Sequence, residues 1–291
     1  MRIYYGIKDN CIDVTDICLS LAKNNFITIP KNDMNRAALF TDPLRGVLKK
    51  IIIENIEYDV YTQIKINTLT HTITTIDQND IDNKLKQIHS TLTIHHGSLE
   101  DELPEQKMVI RYLTGNEKVL EIGGNIGRNS LVIASILKEN CLVTLETDTT
   151  ISSQLTENKE LNHLSFYIEN AALSNRKLIQ RGWETIPSDT LLEGYFEVNT
   201  ITFNELKTKY NIEFDTLVLD CEGAFYYILM DMPELLNNIK LIIMENDYHD
   251  ITHKNYIDEV LKQNQFSVDY SEGGGWGPCH SNFFEVWKKN S

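Results

Sequence analysis

Two carboxylic acids stand two residues apart where an apolar run stops: Leu217-Val218-Leu219 leads into Asp220-Cys221-Glu222-Gly223. Residues two apart on an extended segment face the same side. Two carboxylates held side by side repel each other unless a proton, a cation or a substrate amine shares the space. Such a pair at the end of a strand reads as chemistry rather than stability. A second apolar run, Leu241 to Met244, ends in the same way, with Glu245, Asn246, Asp247, Tyr248 and His249. His249 is the one well-placed side chain that titrates near neutrality, which makes it a candidate general base beside Asp220 and Glu222. A plain surface histidine is the other reading. A divalent cation held by Asp220 with Glu245 or Asn246 is a second route to an acidified acceptor, and such mixed oxygens suit magnesium or calcium.

The segment Val119 to Ser130, VLEIGGNIGRNS, combines an apolar strand, a glycine-rich turn and the start of a helix. In doubly wound folds a ligand sits at that point, over the carboxyl ends of the strands. Gly123 and Gly124 lack the Cβ atoms that would hold a ligand away from the backbone, and Gly127 lets the helix start pack closely. Free amides at the helix start favour an anionic group such as a carboxylate. The spacing is not GxGxxG, which counts against a nicotinamide cofactor. Glu146 ends the next apolar run, about 20 residues on, where a carboxylate accepts from both hydroxyls of a ribose. A solvated Glu at a strand end is the plain alternative. Asn170 opens the loop Asn170 to Ser174 after a third strand, where an adenine ring would lie.

These residues need a frame, and the second part of the chain supplies one. From Pro104 onward, helical periodicity alternates with short apolar strands, the pattern of an α/β fold with a parallel sheet covered on both faces. The last two strands, near Ser267 to Tyr270 and Asn282 to Lys288, read as an antiparallel hairpin at the sheet edge. Residues 1–76 read instead as a small β-rich domain, a sandwich or barrel, with one helix from Val14 to Lys23. Residues 77–100 are polar and read as a linker with helical character from Asn79 to His89, leaving 101–291 as the α/β domain.

Composition narrows the partners. The 291 residues carry 42 acidic against 27 basic side chains, a net charge of -15, so the bulk field repels nucleic acid. No run reaches the roughly 18 apolar residues of a membrane helix, and MRIYYGIKDN lacks the pattern of a secretory signal. The expectation is a soluble cytoplasmic protein without nucleic-acid or membrane partners. Five scattered cysteines without CxxC spacing indicate neither zinc nor a disulfide framework; Cys11, Cys18, Cys141 and Cys221 read as core thiols and Cys279 as a loop thiol. The glycine-rich loop Gly273 to Gly277 with Trp276 reads as a hairpin turn or as an acceptor contact.

Taken in order, VLEIGGNIGRNS, NAALSN (Asn170 to Asn175), VNTITFNEL (Val198 to Leu206), LVLDCEG and IIMEN (Ile242 to Asn246) resemble the FkbM-type methyltransferases, a branch of the class I S-adenosylmethionine-dependent superfamily, over roughly Pro104 to Lys288. The resemblance implies a Rossmann-like, seven-stranded, mostly parallel sheet and O-methylation of a carbohydrate or small-molecule hydroxyl. By position, Glu121, Gly123, Asn125 and Gly127 would hold the methionine part of S-adenosyl-L-methionine, Glu146 its ribose and Asn170 would lie by the adenine. Asp220 and Glu222 would sit beside the methyl group. There are departures: Val218 stands where the family carries Lys, Glu121 replaces Asp, and the polar insertion Arg176 to Gly194, with Trp183, is long. The segments YYG, DVT and FTDPLRGVLKKI resemble a small β domain appended to other proteins, with no activity attached. A methyltransferase-like scaffold without catalysis and a nucleotide-cofactor oxidoreductase are the rival readings.

Overall fold

The computed structural model describes residues 1–8, 10–23 and 25–290, apart from the side chains of 76–79. The chain divides into two compact units, Met1–Lys84 and Leu85–Ser291.

The first unit holds β1 (Ile3–Ile7), β2 (Asn10–Asp13), α1 (Thr15–Ser20), β3 (Phe26–Ile29), α2 (Asp33–Phe40), β4 (Lys50–Ile53), β5 (Ile56–Tyr58), β6 (Thr62–Asn67) and β7 (Ile73–Asp77). They form two antiparallel sheets, β2-β1-β4-β5 and β3-β6-β7. Alternation explains their joint core: Ile3 and Tyr5, Ile27 and Ile29, Ile51 and Ile53, and Ile64 and Ile66 are buried in one cluster. The result is two sheets on one core rather than a closed barrel. The turn signals around Asp33 concealed a helix. Asn32 caps α2 by accepting from Met34 N at 2.8 Å, and the buried Arg36 donates to the carbonyls of Pro30 and Thr62.

A helix α3 (Gln78–His89) runs across the division between the units. Beyond it the second unit contains α4 (Leu103–Tyr112), β8 (Val119–Ile122), α5 (Arg128–Ile136), β9 (Leu142–Leu145), α6 (Thr149–Leu161) and β10 (Tyr167–Glu169). Next come the short β11 (Ala172–Leu173), then β12 (Leu178–Arg181), β13 (Glu184–Pro187), β14 (Phe196–Val198), β15 (Thr200–Ile201) and α7 (Phe203–Tyr210). The unit closes with β16 (Thr216–Leu219), α8 (Phe225–Asp231), β17 (Leu241–Glu245), α9 (Ile251–Gln263), β18 (Phe266–Glu272) and β19 (Phe284–Lys289).

The main sheet has seven strands in the order β10-β9-β8-β16-β17-β19-β18. Every pairing from β10 to β17 is parallel, while β19 runs antiparallel to both β17 and β18. β8, β9 and β16 are buried along their whole length, which is why they read as apolar runs rather than alternating ones. The chain order reverses at β8: β9 and β10 extend one way, β16 and β17 the other. Register then assembles the site. Ile122 pairs with Leu145 and with Leu219, and Leu219 pairs with Met244. The next residues along, Glu146, Gly123, Asp220 and Glu245, therefore emerge side by side at one sheet edge.

The polar insertion forms a separate antiparallel sheet, β13-β12-β14. Three thiol expectations change, since Cys221 is only partly buried and lines the opening at the sheet edge. Cys279 is wholly buried in the 3₁₀ turn Gly277–Asn282, and Cys11 is only partly buried on β2. Among the described residues no helix is long and apolar enough to cross a membrane.

Candidate active site

The carboxyl edge of the main sheet opens into a cavity of about 600 Å³. Its position is the one doubly wound sheets use, at the reversal of strand order between β8 and β16. Gly123 turns there with φ +93°, and a Cβ on it would lie 1.6 Å from the Asp220 carbonyl oxygen. Only glycine permits that approach. Gly124 is equally confined, with Thr144 Oγ1 2.3 Å from its would-be Cβ. After the turn, Asn125 N donates to Glu146 Oε2 at 2.9 Å, and Asp148 N donates to Glu146 Oε1 at 2.8 Å. Glu146 thus fastens the turn to the end of β9, with the cavity in front of it.

Of the residues singled out from sequence, Gly123, Asn125, Glu146, Asp220, Glu222 and His249 line this cavity. Glu121, Gly127 and Asn170 are not on its wall, and each makes a structural contact. Glu121 lies behind the turn, buried, accepting a hydrogen bond from Ser130 Oγ. At Gly127, φ +95°, a Cβ would overlap Leu155 of α6 at 2.2 Å, so this glycine seats α5 against α6. Asn170 Nδ2 donates to the carbonyls of Glu146 and Thr147 at 2.8 and 3.1 Å, and so positions the segment that carries Glu146. Asn246 also faces away: wholly buried, it donates through Nδ2 to Asn282 O and through its backbone to Phe283 O. Alternation along the extended strand end explains this, since Glu245 and Asp247 take the cavity side.

The cavity is far more acidic than the Asp220 and Glu222 pair foretold. Glu102 and Glu105, at the start of α4, join Glu245 and Asp247 on its wall. Sequence gave no signal for these two, because acids in a first helical turn are ordinary partners of the helix dipole. Glu102 is paired with Arg128 at 2.7 Å. Among the described residues, Glu105 Oε2 and Asp247 Oδ2 are buried without a hydrogen-bond partner. The other Asp247 oxygen accepts from Gly223 N at 2.9 Å.

Burial and crowding raise the carboxyl pKa values. Burial, then Asp247, push Asp220 up, and burial, then a hydrogen bond with Glu105 and the charge of Asp220, push Glu245 up. Asp247 rises to about 7, chiefly through burial and the nearby Glu222. Glu222 is raised by burial, against the opposing effect of His249. Carboxyls raised in this way favour their protonated form, and a cationic ligand beside them would favour the charged one.

Two further walls complete the cavity. The β12–β13 hairpin contributes Leu178, Gln180, Trp183, Thr185 and Pro187, with Trp183 60% exposed at its tip. From α8 come Tyr227 and Asp231, the latter bound bidentately by Arg176 at 2.5 Å. His249 lies against the Trp276 ring at 4.4 Å, so the glycine-rich hairpin turn supports the histidine. Among the described residues, no three of the cavity's acids bring oxygens within 4.8 Å of one another; the group that meets that spacing lies elsewhere. Asn246, buried and bonded to Asn282 and Phe283, is turned away from any cation beside Asp220.

Six parallel or crossover-linked positions with a reversed strand tucked beside β17, and a glycine turn after the first strand, define the class I methyltransferase fold. No family model matches the chain, and no curated protein does. Solved structures do. An O-methyltransferase from Bacillus cereus in complex with SAH is 16% identical with a TM-score of 0.42, over 74% of this chain and 93% of that one. A ribosomal protein L11 methylase from Lactobacillus delbrueckii subsp. bulgaricus is 11% identical with a TM-score of 0.44, over 68% and 82%. A methyltransferase from Pyrococcus furiosus is 14% identical with a TM-score of 0.41, over 74% and 98%. Likeness at this level transfers no activity to this chain.

Proposed function

We propose that residues 85–291 form an S-adenosylmethionine-dependent methyltransferase of the FkbM type, acting on a hydroxyl of a carbohydrate or small molecule. The observation that carries this reading is the charge of the cavity at the glycine turn. A dinucleotide cofactor would bring a pyrophosphate to that turn, facing Glu102, Glu105, Asp220 and Glu146. An anion there meets repulsion at short range. A ligand bearing a sulfonium and an ammonium meets the opposite field, and supplies partners for the unpaired oxygens of Glu105 and Asp247.

The residues present fit such a cofactor. Gly123 and Asn125 line the cavity at the turn, where their backbone would border the cofactor's amino-acid end. Glu146, fixed by two backbone amides, has its remaining lone pairs for a ribose diol. Leu145, Ala171, Ala172 and Leu173 offer an apolar slot for a purine. When bound, the cofactor supplies an electrophilic methyl group on a positively charged sulfur.

Asp220, Glu222 and His249 stand on the acceptor side. A carboxyl whose pKa has been raised toward neutrality is suited to take a proton from a hydroxyl, and His249 is suited to relay it. Holding the acceptor in line contributes the larger share, on the order of 7 to 11 kcal/mol where the geometry is good. Trp183 and Tyr227 offer aromatic faces of the kind that stack on sugar rings. The test is transfer of a labelled methyl group from S-adenosylmethionine to a panel of glycans and small alcohols. Asp220→Asn and Glu222→Gln are expected to lower turnover about 100-fold or more. Labelling of RNA but of no hydroxyl acceptor would refute the acceptor class.

A further inference from the structure

On the surface of the second unit, away from the cavity walls, the segment before α4 presents His95 and His96 to Glu157 of α6. His96 Nε2 lies 2.6 Å from Glu157 Oε2, and His95 Nδ1 lies 4.0 Å from the same oxygen. The two imidazoles are 4.8 Å apart between centroids and inclined by 32°. One donor atom from each of the three side chains falls within 4.8 Å of the others. A tetrahedral ion with bonds of about 2.1 Å needs donors about 3.4 Å apart, within reach of small rotamer changes.

The backbone that carries these groups is fixed by a side chain with no exposure at all. Asn158, the neighbour of Glu157, accepts from His95 N at 2.8 Å and His96 N at 3.1 Å through Oδ1. Its Nδ2 donates to His96 O at 3.1 Å and to Ile126 O at 2.9 Å in the glycine turn. One helical turn on, Asn162 clamps Thr93 in the same manner, through 2.7 and 2.6 Å bonds. Gly97 closes the segment, where a Cβ would overlap Ile126 at 2.1 Å. Three side-chain bonds from Asn158 and two from Asn162 hold this loop, and the fourth Asn158 bond ties it to the glycine turn. Fixing a loop this firmly so that two imidazoles meet one carboxylate is how an open metal site is built.

We propose that His95, His96 and Glu157 bind one divalent transition-metal ion of the zinc class, with water completing the coordination. Two imidazoles and a carboxylate form a borderline donor set, which selects zinc, nickel or copper over magnesium and calcium. On binding, the ion takes the place of the hydrogen bond between His96 Nε2 and Glu157 Oε2, and the neutral imidazole that ligates through Nε2 carries its one proton on Nδ1.

The test is calorimetric titration of the metal-free, tag-free full chain with zinc chloride, with cobalt(II) absorption as a second readout. One zinc per chain is expected, with a visible cobalt spectrum of four-coordinate intensity. His96→Ala and Glu157→Ala are each expected to weaken binding about 100-fold, while His280→Ala leaves it unchanged. Both substituted side chains are solvent-accessible, and circular dichroism with chelator present confirms that the variants fold. No zinc heat, or equal zinc affinity in wild type, His96→Ala and Glu157→Ala, would overturn the proposal. The readout is metal binding alone, so it stands or falls separately from methyl transfer.

Discussion

At Gly123 the chain turns back with φ +93°, and its would-be Cβ meets the Asp220 carbonyl oxygen. Gly123→Ala must therefore separate β8 from β16, and overpacking of this kind costs about 1 to 3 kcal/mol. A lowered melting temperature together with lost cofactor binding is the expected result. The carboxyls make a second prediction at this scale. Asp247 titrates at about 7, and Asp220 and Glu245 are also raised above their ordinary values. Between the ordinary carboxylate range and these raised values, the folded state binds more protons than the unfolded chain. Stability therefore falls as pH rises from about 4 toward 8, by up to about 1.4 kcal/mol per pH unit for each such group. Thermal unfolding of the unliganded protein across that range should show the decline, and Asp247→Asn should flatten it. A cationic ligand should bind more tightly at pH 8 than at pH 6, with protons released.

On the scale of elements, α9 is held to β19 by the buried Lys254, whose Nζ contacts Asp258 and lies 2.9 Å from Glu285 Oε2. Lys254→Ala leaves Glu285 buried without its cation, at a cost of about 3 to 5 kcal/mol. Denaturant titration checks it; a loss under 1 kcal/mol would mean water replaces the ammonium. The β12–β13 hairpin makes a different forecast. Trp183→Ala should raise the acceptor KM while leaving cofactor affinity unchanged, because Trp183 stands at the tip of the hairpin and not on the sheet edge that carries Glu146.

The same elements show what was legible in advance. β8, β9, β16 and β17 announced themselves because strands buried on both faces are apolar throughout. Their ends named Gly123, Glu146, Asp220 and Glu245 by register alone. The β12–β14 sheet did not announce itself, since its polar residues pack on a cavity rather than on a core. Glu105 was illegible for a related reason: its role depends on reaching Glu245 across 140 residues of chain, a contact no local pattern encodes. Glu121, Gly127 and Asn170 were visible as special residues, but their contacts with Ser130, Leu155 and the carbonyls of Glu146 and Thr147 were not.

For the whole molecule, a net charge of -15 forecasts no salt-sensitive retention of RNA between about 50 and 200 mM salt. Filter binding with transfer RNA checks it. The central claim is that the cavity at the β8–β16 reversal receives a positively charged thioether nucleoside rather than a dinucleotide. Isothermal titration with S-adenosylmethionine, repeated with NAD, tests this most directly. Binding of one S-adenosylmethionine per chain, abolished by Glu146→Ala and absent for NAD, is the predicted result; heat from NAD with none from S-adenosylmethionine would contradict it.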